Sequence, residues 1–534
     1  MRYPLAGLCF LMLPTWVNAA SPDAAPDWVY TVRPGDTLIE IAQTYLNQPN
    51  NWRPLQRDNH IANPMAIPPG TQLRIPANLL KHSPSSAKLI ALTGAVLFRQ
   101  GAEGAWQAAT VGQKLAVGDA VQTPPEGYAV LELANGSRIN IQASALVVLD
   151  TLSLYAEGLM ADTRLRLNIG RVEIVDNPQR QTNQHLRVIT PTAQAVVRGT
   201  EFRVGVEGQT TREETLDGAI AFRAATKTVA VEQGFGSLSV NGQAPHPPVA
   251  LLAAPDVSGL PKRVEQLPIR FPLPVMANAA SMVGEVVAAS QAEPVLLAKS
   301  STSKTLNFAD LPNGDYILRL SATDRLGLQG YTALHPFTVF ARPFFPPVNQ
   351  PQVDGVVRSP RPEFSWGQIL DVTASHIQIA TSADFKHPLF DAQIGANRWS
   401  PPADLPAGAL FWRVASIDKI QGPWTPAIAF TYKPAPALVD ITQAAMQITG
   451  DGLHYDLPKP EAGLHYLVSL SAVRSMDPLV MPAVESHSGK VVMPRFGVGD
   501  FYLSVRLVDD SDGTQGPAVV QKISVPITRP YLLP

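Results

Sequence analysis

The sequence predicts a multidomain, mainly β chain: a small βααβ module, an all-β domain and then three β-sandwich repeats. Three observations predict it. The chain has 534 residues, and at roughly 100–200 residues per domain it holds roughly three to five cores. Its 50 prolines avoid helix interiors and central strands, so they mark many short strands and turns. The C-terminal third repeats itself at the spacing of a β-sandwich. Hydrophobic residues make up 45% and charged residues 16%, a balance that fills buried cores rather than a disordered chain. The formal net charge is −2 and no long basic run occurs. Nucleic acid is therefore excluded as an expected partner, since it calls for a basic stripe.

Residues 1–19 read as a signal peptide. Arg2 supplies the positive start, Leu5 to Leu13 an uncharged apolar stretch, and Val17-Asn18-Ala19 a small-residue cleavage site. That stretch is too short to span a membrane, and no later window has about eighteen apolar residues in a row. The mature protein is expected to have no transmembrane segment and to be periplasmic or secreted. The one cysteine, Cys9, lies inside the signal behind Leu8, where a lipoprotein site wants a small residue. A mature chain without thiols has no disulfides, zinc–thiolate sites or cysteine nucleophile.

The first module spans 27–77. Val29 to Val32 form a strand that Pro34-Gly35 ends. Thr37-Leu38-Ile39-Glu40 is a capping box, and Leu38, Ile41, Ala42 and Tyr45 then share one helix face. Asn51 is expected to cap a second helix carrying Trp52, Leu55 and Asn59. After the Pro68-Pro69-Gly70 turn, Gln72 to Ile75 make a second strand. Tyr30 to Leu38, Ile41-Ala42, Trp52, Asn59, Asn63-Pro64, Ile67, Pro69-Gly70 and Leu73 to Pro76 together resemble a LysM domain. The resemblance implies peptidoglycan as partner, bound through N-acetylglucosamine-containing glycan in a shallow groove between two loops. One side would use Gly35, Asp36, Thr37 and Leu38. The other would use Asn63, Pro64, Met65, Ala66 and Ile67. Amides at the helix start would bond the acetamido oxygen, and Leu38, Met65 and Ile67 would meet the N-acetyl methyl. The same residues could equally be turn, cap and core alone.

His82 to Ser86 read as a short linker. Over 87–242 the period becomes two. Ala129 to Leu133 and Arg138 to Ile141 flank Asn135-Gly136, a strong hairpin signal, and Leu165 to Ile174 and Phe202 to Val206 alternate likewise. Leu115 to Thr123, Leu131 to Ser137, Thr190 to Ala193, Arg198 to Phe202 and Val231 to Gly236 resemble the FecR domain family. That family implies a periplasmic regulator domain relaying a receptor signal to a sigma factor. This chain is expected to lack the sigma-binding segment and membrane helix, which leaves sensing or docking to an envelope protein. Arg198, Glu201 and Glu207 read as structural ion-pair residues rather than as catalysts.

Three related copies follow, at 262–341, 346–433 and 437–528. Ala309 to Pro312 recurs as Ala403 to Pro406. Gly314, Gly408 and Gly499 each open an aromatic strand, and ten residues beyond each lies Asp324, Asp418 or Asp509. Pro294, Pro388 and Pro478 are spaced alike. The pattern is similar to immunoglobulin or fibronectin type III sandwiches, with Trp366 as a core plug. Pro343 to Pro347 and Pro434 to Pro436 read as stiff seams.

No enzyme motif is found. Among ten histidines no pair stands four apart around a glutamate, and there is no nucleophile elbow or phosphate loop. His454 and His465 read as surface residues. Asp509, Asp510 and Asp512 read as a solvated turn rather than a calcium loop. The expectation is a non-enzymatic peptidoglycan-binding scaffold or sensor of the cell envelope, without cofactor or metal. The alternatives are a wall-targeted murein hydrolase or an envelope signal-transduction component.

Overall fold

The computed structural model describes residues 27–175, 183–197, 201–290 and 294–526. The expected signal peptide and Arg198 to Thr200 of the FecR-like motif lie outside them. The chain is multidomain and mainly β, with 50% strand and 5% helix. It divides after Phe340 into two compact units. No helix among the described residues is long and apolar enough to cross a membrane.

The first unit opens with strand β1 (Trp28–Thr31), helix α1 (Leu38–Tyr45), helix α2 (Trp52–Asp58) and strand β2 (Gln72–Ile75). The two strands pair antiparallel, Trp28 opposite Ile75. Leu38, Ile41, Leu55, Leu73 and Ile75 fill the core, and Trp28, Tyr30 and Tyr45 pack ring to ring at one end. The Thr37–Glu40 capping box forms as expected. Asn51 does not cap α2: a 3-10 turn, Pro49–Asn51, precedes that helix, and the Asn51 amide donates to Asn47 instead. Asn59 ties α2 to β2, donating to the Leu55 and Arg74 carbonyls and accepting the Arg74 amide at 2.6 Å.

The expected linker is structured. His82–Pro84 is a strand paired with Ser153–Tyr155. Lys81 donates to the Gln43 and Thr44 carbonyls, 2.7 Å each, which stabilises the negative end of α1. Ala156 and Met160 of the next domain complete the module's core. That next domain is a β-sheet closed into a barrel, built from strands between His82 and Ala250. Its longest strand, Met160–Val175, pairs antiparallel with Leu146–Tyr155 and Glu201–Glu207 and parallel with Asn183–Ile189. Inward residues such as Leu131, Ile139, Leu165, Val172, Phe202 and Phe222 fill the interior. The Asn135-Gly136 hairpin forms, with Arg138 opposite Glu132, the Leu133 amide donating to Ser137 so that Ala134, Asn135 and Gly136 make a three-residue loop, and Gly136 at φ +82°.

The first sandwich completes this unit. Its larger sheet runs Val295–Ser301, Ala279–Ala288, Gly314–Asp324, Gln329–Val339 and Arg263–Val264. Ile269–Pro272 and Thr305–Phe308 cover it. It rests on the barrel through a buried ionic network. Glu173 takes Arg203 at 3.3 Å and Arg319 at 2.9 Å, and Arg203 also donates to Gly330 and Thr332. Arg171 forks onto Glu214, whose carboxylate also accepts the Gln329 amide. Burial pushes Glu173 up, but Arg203 and Arg319 outweigh it, and its carboxyl lies below the ordinary value. In Glu285 the burial cost wins over the more distant Arg319, and its carboxyl lies above that value.

The second unit holds two sandwiches. In the first of them, Val348–Gln350, Phe364–Trp366 and Arg398–Trp399 face a sheet centred on Gly408–Ile417. Trp366 is a core plug, as its sequence setting suggests, against Trp412 and Phe364, and its indole donates to Ser375 at 3.0 Å. In the last, Ala445–Thr449, Gly452–Asp456 and Lys490–Pro494 face the sheet Val484–Ser486, Leu464–Ser471, Gly499–Asp509 and Val519–Val525. The proline seams are docked rather than free: the Gly367 amide donates to Pro347, and Arg358 donates to Pro434. Asp509 is not part of a solvated turn. It is buried and held by Arg358 at 3.1 Å and Lys433 at 2.6 Å, while Asp512 also takes Arg358.

Candidate functional site

The two loops expected to form a groove lie side by side. The turn after β1 closes with the Asp36 amide donating to Arg33, and Gly35 takes φ +92°, which favours glycine. Asp36 is fixed from both sides: its Oδ2 accepts the Tyr30 hydroxyl at 2.6 Å and the Arg33 amide at 2.7 Å. Burial and that carboxylate push the Tyr30 phenol above its ordinary range, so it stays a donor. In the second loop the Asn63 Oδ1 accepts the Met65 amide and the Asn63 carbonyl the Ala66 amide, an Asx turn. The Leu38 amide donates to the Pro64 carbonyl at 2.8 Å. That bond joins the loops and sets their separation.

Nine residues were expected at this site, and the structure sorts them. Gly35, Asn63, Met65 and Ala66 are exposed, with Met65 61% open to solvent. Asp36, Thr37 and Pro64 are half-buried. Leu38 and Ile67 are 0% and 6% exposed, so their side chains belong to the core and offer no apolar surface to a ligand. Three amides around the helix start are also occupied. Thr37 donates its amide to Glu40, Asp36 to Arg33 and Leu38 to Pro64. The turn, the capping box and the loop bridge thus use these three donors. What remains outward is a short apolar ridge, Met65-Ala66, beside the Gly35 turn and the Asn63 side-chain amide. Such a shallow rim can take an acetamido methyl and one or two hydrogen bonds, with little buried area.

The barrel's motif residues are structural staples. Asp119 accepts the Gly101 and Ala116 amides, and Thr190 meets Thr211 at 2.7 Å while accepting the Ala193 amide. Glu207 pairs with Arg212 at 3.0 Å. Glu201 is raised by burial and by the nearby Glu173.

The family model described as LysM domain matches residues 30–76, and that described as FecR protein matches residues 119–221. Both families are binding or signalling domains rather than catalytic ones. A protein of Deinococcus radiodurans described as uncharacterized is 46% identical over 50 residues, 9% of this chain. The match spans about a fifth of that protein's length (20%). Among solved structures, a putative anti-sigma factor from Parabacteroides distasonis is 11% identical with a TM-score of 0.21, covering 24% of this chain and 59% of that one. The chicken CNTN1 FN1–FN3 domains are 11% identical with a TM-score of 0.25, covering 52% of this chain and 98% of that one.

Proposed function

We propose that this protein is a peptidoglycan-binding scaffold or sensor of the bacterial envelope, exported to the periplasm or secreted after removal of residues 1–19. The N-terminal module grips N-acetylglucosamine-containing glycan, and the barrel and sandwiches dock an envelope protein. One observation carries the glycan reading. The Leu38–Pro64 bond joins two loops on which Gly35, Asn63, Met65 and Ala66 are exposed, within the stretch that matches LysM domains. The match of residues 119–221 to the FecR family, a family of binding or signalling domains, supports signalling as the barrel's task.

The Met65 and Ala66 side chains are exposed and carry no packing role, so they separate binding from folding. Met65→Lys and Ala66→Arg each place a charge where the acetamido methyl would rest. Retention on purified peptidoglycan should fall about tenfold or more in each, the usual loss for a desolvated contact replaced by a charge. Equal retention of both variants would remove the rim from the site. A clearing band from the purified protein on a murein gel would replace the scaffold reading with that of a hydrolase.

A further inference from the structure

The last sandwich brings together three metal-ligating side chains from strands far apart in sequence. Its second sheet has Leu464–Ser471 flanked by Val484–Ser486 on one side and Gly499–Asp509 on the other. Tyr466 lies opposite Ser486, and Leu464 opposite Asp509. His465 therefore sits between the residues that follow the two flanking strands, His487 and Asp510. The Asp510 amide is fixed by the Gly463 carbonyl at 2.9 Å. His465 Nδ1 lies 2.6 Å and His487 Nε2 3.3 Å from the same Asp510 oxygen, and the imidazoles stack at 4.7 Å. All three ligand atoms fall within 4.8 Å of one another.

We propose that His465, His487 and Asp510 bind a divalent transition-metal ion of the zinc class. Two neutral imidazoles and one carboxylate suit such an ion and not calcium or magnesium, which take oxygen shells. In a tetrahedral site the ligand atoms stand about 3.3 Å apart, so the closest pair here opens by less than about 1 Å on binding. The neighbouring carboxylates do not compete. Asp509 is taken by Arg358 and Lys433, and Asp512 by Arg358, which leaves Asp510 as the loop carboxylate that faces the imidazoles. Three protein ligands leave the fourth position to water. The bound ion clamps three strand ends at one end of the sheet, one residue from the Arg358–Asp509 contact that joins this sandwich to its neighbour.

Zinc titration of the full chain, in competition with a chromophoric chelator, tests the site. One ion per chain should bind. His465→Gln, His487→Ala and Asp510→Asn should each weaken it about tenfold or more, while His454→Ala leaves it unchanged. His487 is 66% exposed, so its loss does not disturb packing, and an unchanged circular dichroism spectrum verifies the fold. Cobalt should give the visible band of a tetrahedral site in the wild-type chain and lose it in His487→Ala. Failure of the wild-type chain to take up zinc overturns the proposal, as does binding that all three variants retain.

Discussion

At the residue scale, Glu173 is the charge on which the barrel's contact with the first sandwich turns. It is 2% exposed and accepts from Arg203 on its own domain and Arg319 on the next. Removing its charge would leave two guanidinium groups facing a buried amide, so Glu173→Gln should cost about 3–5 kcal/mol at neutral pH. Its folded-state carboxyl lies below the ordinary value. Its stabilisation is thus fully present above the unfolded carboxyl value, about 4.3, and is lost as pH falls through the lower folded one. Denaturant midpoints of wild type and variant should differ most near neutrality and converge only as pH falls through the lowered folded-state value. A gap that persists at low pH would mean that the loss is one of packing. Nothing in the sequence joins Glu173 to Arg319, because 146 residues separate them. The same holds for His465, His487 and Asp510, which lie at three strand ends and form no motif. Residues whose partners are local were legible: Thr37 with Glu40, and Asn135-Gly136. Leu38 was legible as core from the helix face it shares with Ile41 and Ala42, although the resemblance also offered it to the glycan; which way Ile67 turned was not legible, because a pattern match does not separate core from rim.

At the element scale, one strand recurs. Gly314–Asp324, Gly408–Ile417 and Gly499–Asp509 are each central in their sheet, and each opens at one of the glycines that mark the repeat. The repeat was readable because a buried aromatic strand needs the same residues wherever it packs. How each copy meets its neighbour was not readable, since contact surfaces differ between copies. The first copy shows the difference. Its strand Gln329–Val339 runs against the segment beyond the barrel, where the Tyr331 amide donates to the Leu252 carbonyl. A Cβ on Gly330 would stand 2.3 Å from that carbonyl oxygen, so the backbone there must shift. Gly330→Ala should therefore destabilise the joint by about 1–3 kcal/mol. Hydrogen exchange at Tyr331 should rise with it, while the module's amides stay protected. Unchanged exchange would show that the Leu252 segment yields.

At the scale of the whole molecule, the first unit joins the N-terminal module to the barrel through shared packing rather than through a tether. Ala156 and Met160 belong to the barrel by chain position and to the module by packing, Met160 being fully buried there. The His82–Pro84 strand adds backbone pairing between the two. Elements that share a core unfold together, so module and barrel should melt in one transition. Ligand that binds only the folded module then stabilises the barrel as well. Murein glycan fragments at about 100 times their Kd should add about 2.7 kcal/mol to that transition, seen by calorimetry as a rise in its Tm. Met160→Ala empties the shared core at a cost of about 2–5 kcal/mol and should split the transition, so that the fragments then raise the Tm of the module alone. If wild type already melts in two steps, with only the earlier one responding to glycan, the module is an independent anchor and force or occupancy at the wall does not reach the barrel.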